Sequence, residues 1–100
     1  RLDAEIFYYK TRTGREVDFI VAPRGQARRL VQVCESLVDA PTRKREVAAL
    51  SDAMAELGLT SGIIVTRSEE ERIGTGPGII EVLPAWRFLL NLESAVGLVV

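Results

Sequence analysis

Two stretches decide the reading of this chain, Glu16-Val17-Asp18-Phe19-Ile20-Val21 and Leu30-Val31-Gln32-Val33-Cys34. Both are short, apolar and β-branched, and in each the less apolar residues stand two apart. That is the period of a strand whose side chains alternate between two faces. Gln32 and Cys34 therefore share one face of their strand and Val31 and Val33 the other, while Glu16 and Asp18 share a face of theirs.

Working outward, Ile6 to Lys10 is a third β-branched and aromatic run, separated from Glu16–Ala22 by the turn residues Thr13-Gly14. Pro23-Arg24-Gly25 marks a second turn before a strand over Ala27–Cys34, so three consecutive strands form a meander. From Thr42 to Leu57 the period changes, with Val47, Leu50, Met54 and Leu57 recurring at three and four on an alanine-rich background. This predicts a helix that ends at Gly58 in a left-handed cap. Gly62–Thr66 then reads as a buried strand lying beside the meander after the helix crosses over, and Ile79–Leu83 as one more strand. Pro84 is placed to open a last helix whose apolar side would be Trp86, Leu89, Leu90 and Leu92. The tail Gly97–Val100 is too short to classify. Between the last two strands, Arg67–Gly78 carries Glu69-Glu70-Glu71-Arg72 and then Gly74, Gly76, Pro77 and Gly78. Its composition predicts a mobile surface loop, and without a Gly-Lys-Ser/Thr ending the glycines do not make a phosphate cradle.

The expected fold is thus a single α/β domain over residues 1–100: a three-stranded meander, a crossover helix, further strands and a C-terminal helix around a mixed sheet. One hundred residues suffice to bury roughly 60–65% of the surface of the unfolded chain. With 47% hydrophobic and 27% charged residues the composition is that of a globular domain, and no apolar run nears the ~20 residues of a membrane helix. A formal net charge of -1 argues against a general nucleic-acid glue, since such binding neutralises several phosphates with clustered cations. One cysteine excludes an internal disulfide, and the absence of histidine excludes Cys/His zinc sites and Ser-His or Cys-His nucleophile pairs. Any chemistry must run on carboxylates, Lys, Arg, Tyr or Cys34.

Five segments in order, GREVDFIV at 14–21, LVQVCESL at 30–37, TRKREVAAL at 42–50, GIIVTR at 62–67 and IIEVLPAWRFLL at 79–90, carry a resemblance. The chain resembles the PD-(D/E)XK nuclease superfamily, with its restriction-endonuclease-like fold shared with Holliday junction resolvases. More closely, it resembles the C-terminal nuclease-like domain of unknown function carried by prokaryotic AAA-type ATPases. The resemblance spans about Ile6 to Leu90.

It implies that Asp18, Gln32 and Cys34 occupy the positions of the family's metal-binding acids and lysine, and that the fold brings Asp18 beside Gln32. In active relatives two acids hold Mg²⁺, which lowers the pKa of a bound water, and the lysine steadies the developing charge. Here Gln32 keeps an oxygen but loses a charge. Cys34, with an ordinary pKa of about 8.5, is no substitute for an ammonium. The motif is degenerate.

A rearranged site would draw on Asp18 with Glu16 or Glu35 as metal ligands, Glu16 being the leading choice, and on Lys10 or Lys44 as the cation. The plain reading of Asp18 is a strand-end acid paired with Arg15 or Arg28, and that of Gln32 and Cys34 is core packing. Arg43, Lys44 and Arg45 open the long helix, where the macrodipole disfavours cations. Local stability did not select them, and they are candidates for binding an anion such as phosphate or an acidic partner. The alternative is a solvated face tempered by Asp39, Glu46 and Asp52.

The leading expectation is a catalytically degenerate nuclease-fold module of an AAA-type ATPase, retained for nucleic-acid binding or assembly. The alternatives are a metal-dependent DNA endonuclease with a shifted site, and a protein-interaction module using apolar surface left uncovered by a missing first helix. The chain opens on Arg1 just before a strand, which predicts a piece of a longer protein; the resemblance implies that the piece is C-terminal, and the expected location is the cytoplasm. No cofactor is expected in this domain: Mg²⁺ belongs to the nuclease alternative, and ATP to an ATPase region outside it, because no Walker-type loop is present. Expected partners are DNA, that ATPase region and further copies in an oligomer, but no membrane.

Overall fold

The computed structural model describes residues 5–21 and 28–95. Eight elements follow one another: β1 (Glu5–Lys10), β2 (Glu16–Val21), β3 (Arg28–Val33), α1 (Ala40–Leu57), β4 (Ser61–Thr66), β5 (Glu71–Gly74), β6 (Ile79–Pro84) and α2 (Ala85–Ala95). They form one six-stranded mixed sheet in the order β1-β2-β3-β4-β6-β5. The meander β1-β2-β3 is antiparallel, β4 joins β3 in parallel after the α1 crossover, β6 runs parallel to β4, and β5 closes the edge antiparallel to β6. The predicted α/β class, meander, crossover helix and C-terminal helix are all present. The turn predicted at Pro23-Arg24-Gly25 and the tail Gly97–Val100 lie outside the described residues.

One correction concerns the segment predicted as a loop, since Glu71–Gly74 is the edge strand β5. Charged residues on a short edge strand keep it from pairing indiscriminately, and they also hide it from a search for apolar alternation. A smaller correction is that α1 begins at Ala40 instead of Thr42. Asp39 is its N-cap, and its carboxylate accepts from the Thr42 backbone N–H at 3.0 Å and from the Thr42 hydroxyl at 2.7 Å. Gly58, at φ 68°, caps the C-terminus as predicted, with Leu59 N–H donating to the Met54 carbonyl at 2.9 Å.

The register assigns the faces. Val17, Leu30, Ile64, Ile80 and Val82 from the sheet pack with Ala49, Leu50, Ala53 and Met54 of α1 and with Leu37 in a single core. Helix α1 can approach this closely because Gly62 of β4 lies beneath it, where a β-carbon would stand 3.0 Å from Leu50 Cδ2 and 3.1 Å from Met54 Sδ. The opposite face is thinly covered. Val31 is buried, but Val33 and Tyr8 are 64% and 76% exposed.

The predicted last helix is α2, and of its predicted apolar side Trp86, Leu89 and Leu90 are exposed, while the side chain of Leu92 lies outside the description. Pro84 is the last residue of β6. No described helix is long and apolar enough to cross a membrane.

The β1–β2 hairpin is fastened to α1 by carboxylates one helical turn apart. Tyr9 O–H donates to Glu56 Oε1 at 2.7 Å and Arg12 N–H to Glu56 Oε2 at 3.0 Å, while Thr13 Oγ1 donates to Asp52 at 3.2 Å. The tyrosine and the amide hold the Glu56 carboxyl below its ordinary range, and Thr42 does the same for Asp39. The hydrogen bond to Glu56 and its negative charge push Tyr9 up.

The folded state therefore binds fewer protons at Glu56 and Asp39 than the unfolded chain, and their stabilisation is present above about pH 4 and lost as pH falls through their lowered values. Tyr9 works in the other direction, stabilising below about pH 10 and less as pH rises through its raised value. Urea midpoints measured across pH should trace a plateau with an acid and an alkaline shoulder. Tyr9→Phe should flatten the alkaline shoulder.

Candidate functional site

Positions that pair across adjacent strands share a face, so the ladder locates each predicted site residue. Asp18 stands opposite Tyr8 on β1 and Val31 on β3, and Glu16 stands opposite Lys10. Gln32 is in register with Ile64, a core residue under α1. The Asp18 position is thus on the face turned away from α1, and Gln32 and Cys34 are on the face that carries it.

This corrects the expectation that Asp18 lies beside Gln32. The two strands are neighbours, but a one-residue difference in parity sends the two halves of the motif to opposite sides of the sheet. The motif positions consequently do not fit a shared Mg²⁺. Lys44 fails as the migrated lysine for the same reason, because α1 packs on the side opposite Asp18. The register does bring Lys10, Glu16 and Asp18 to one face. Among the described residues no three Cys, Asp or Glu side chains gather to hold a metal.

Cys34 follows β3, with its N–H donating to the Val65 carbonyl at 3.0 Å and its thiol directed to the Ser36 carbonyl at 3.8 Å. It packs against the core. Burial pushes the thiol pKa up, and the charges of Glu46 and Glu69 push it further, so the sulfur is held as a neutral thiol. Beside it a cleft of about 570 Å³ lies at the ends of the parallel strands, lined by Val33, Cys34, Glu35, Val65, Thr66, Arg67 and Ala85. Glu35, a possible substitute acid, is taken up by Arg67 at 2.5 Å.

No protein-family model, curated protein or solved structure matches the chain.

The predicted anion site is largely neutralised. Arg43 donates through both terminal nitrogens to the two oxygens of Glu71 on β5, each at 2.7 Å, and Arg45 stands 3.8 Å from Glu46. Lys44 alone of the three has no carboxylate partner among the described residues. The partner of Arg43 was invisible in the sequence because it sits on the strand read as a loop. Arg15, expected as a mate for Asp18, pairs with Asp52 of α1 at 3.5 Å, and the side chain of Asp18 lies outside the description.

A second cleft of about 560 Å³ runs along α1 and is missed by any reading of local motifs. It is lined on the helix by Ala40, Arg43, Lys44, Val47, Ala48 and Ser51, and on the sheet edge by Ile73, Gly74, Thr75 and Gly76.

Proposed function

We propose that this chain is a catalytically degenerate module of the nuclease-like class that AAA-type ATPases carry, working in the cytoplasm and serving assembly in place of catalysis. The observation that carries the reading is the division of the motif: Gln32 is in register with the core residue Ile64, while Asp18 pairs with Val31 on the other face. A strand that carries Gln32 and Cys34 in place of a carboxylate and a lysine, with both positions on the helix side of the sheet and Cys34 packed against the core, serves as a structural strand. The exposure of Tyr8, Val33, Trp86, Leu89 and Leu90 agrees with a surface made for protein contact.

Of the two retained roles, nucleic-acid binding has the weaker physical support. The net charge is -1, and two of the three cations at the start of α1 have carboxylates beside them. With one or two phosphates neutralised, affinity for DNA should be low and its logarithm should fall against that of salt with a slope no steeper than about -2. A second reading, an endonuclease with a rearranged Mg²⁺ site, is favoured by the shared face of Lys10, Glu16 and Asp18.

Single-turnover assays with Mg²⁺ or Mn²⁺ on linear, nicked and branched DNA separate the two. No cleavage is expected. Cleavage that disappears in Asp18→Ala would overturn the degenerate reading in favour of the rearranged site.

A further inference from the structure

We infer that the cleft between α1 and the edge strand β5 is a docking groove for an extended peptide segment that carries acidic and apolar residues in alternation. The segment would add to the sheet as a seventh strand. Three observations converge on this chemistry.

The first is the edge itself. Among the described residues β5 is terminal in the sheet and pairs with β6 alone, so its outer side presents alternate N–H and C=O groups to which no described strand is paired. Such an edge is the template on which an extended segment is recognised through its main chain.

The second is the wall beside it. Ala40, Lys44, Val47, Ala48 and Ser51 recur at three and four along α1, forming one stripe of the helix that faces β5 across the cleft. Ile73 is in register with the core residue Ile80, which puts it on the α1 side of the sheet next to Val47. Alternate side chains of a strand are about 6.6–6.8 Å apart, and four residues of helix rise about 6 Å. Those two spacings are of the same order, and a segment lying along β5 would have its inward side chains between the strand and α1, where Val47, Ala48 and Ile73 suit an apolar residue and Lys44 an acidic one.

The third is charge. Arg43 is held by Glu71 and braces the strand against the helix, whereas Lys44, exposed on the same wall, has no carboxylate among the described residues. A carboxylate on the incoming segment would complete that pair. With only four residues in β5, the ladder is short and the affinity modest, so binding gains from several copies in an assembly.

The inference adds a partner class to the assembly reading and rests on it only in expecting a protein partner. The test uses the intact chain and a short fluorescent peptide of alternating valine and glutamate. Its controls are a counterpart with lysine for glutamate and a version N-methylated at alternate residues, which cannot form the ladder.

Anisotropy should show binding of the glutamate peptide, loss of binding on N-methylation, and amide shifts centred on Ile73, Gly74 and Thr75. Lys44→Glu should weaken the glutamate peptide by roughly threefold to fivefold, the scale of one exposed ion pair, and improve the lysine counterpart. Ala48→Phe, which fills the groove, should abolish both while leaving the melting transition in place.

Equal binding of the N-methylated peptide, indifference to Lys44→Glu, or shifts confined to another surface would each overturn the groove. So would sedimentation showing that the β5 edge is occupied by a second copy of the chain. Failure of the peptide with nuclease assays still silent would remove the groove and leave the assembly reading standing; nuclease activity would remove the latter on its own.

Discussion

Gly78→Ala is expected to destabilise the domain by about 1–3 kcal/mol, the usual range for forcing atoms into filled space, although it changes one hydrogen into a methyl group. A β-carbon at this position would stand 2.0 Å from the Thr60 carbonyl oxygen, 2.6 Å from its carbon and 2.8 Å from its α-carbon. These are backbone atoms, and no side chain can swing aside to make room. Thr60 is also committed. Its carbonyl accepts the Ile79 N–H at 3.0 Å, the bond that begins β6, and it stands between the Gly58 cap of α1 and the first residue of β4.

On its other side Gly78 is tied to Thr75, whose N–H and hydroxyl donate to the Gly78 carbonyl at 2.7 and 2.9 Å. Moving either backbone disturbs the pairing of β4 with β6, and with β6 the docking edge β5. Thermal unfolding should show a midpoint lowered by about 4–8 °C per kcal/mol in a domain of this size. Gly76→Ala is the control. Beyond its own chain neighbours no described heavy atom lies within 4 Å of a β-carbon there, so its midpoint should hardly move. Equal effects of the two substitutions would show that the Thr60 contact is not what selects glycine at 78.

What the sequence disclosed divides along physical lines. Strands with apolar alternation and a helix with a clear three-four stripe carry their own signal, and β1 to β4, β6 and α1 were legible within a residue or two. Strand β5 was not, because Glu71 and Arg72 serve an edge where charge is an asset, and that protection erases the alternation by which strands are found.

The site suffered from a different limit. The period of each strand was read correctly, but the relative parity of β2 and β3 depends on the turn joining them. A shift of one residue there decides whether Asp18 joins Gln32 or Val31. The cations of α1 were visible as a cluster, whereas the partner that occupies Arg43 comes from 28 residues downstream and is a tertiary fact.

The same dependence on tertiary neighbours makes the heart of the core predictable once the structure is known. Leu50→Ala should cost about 2–5 kcal/mol, the range for a fully buried leucine, because Leu50 has no exposed surface and lies directly over the sheet. Against a total stability of roughly 5–15 kcal/mol for a domain, that single change would leave a substantial unfolded population in mild denaturant. Gly62→Ala alone should also destabilise, by overpacking, since its new methyl would press on Leu50 Cδ2 and Cγ at 3.0 Å.

The two effects are not independent. Truncating Leu50 removes the atoms that the methyl at 62 would strike and opens the space it would fill, leaving Met54 Sδ at 3.1 Å as the remaining neighbour. The double variant should therefore be more stable than the sum of the two single losses implies, by about 0.5–3 kcal/mol, the coupling seen between residues that share a cavity. Denaturant unfolding of the four proteins measures that coupling directly. Strict additivity would mean that α1 does not approach β4 over Gly62, and with it would go the packing that holds Gln32 and Cys34 on the helix side of the sheet and the wall of α1 that faces β5.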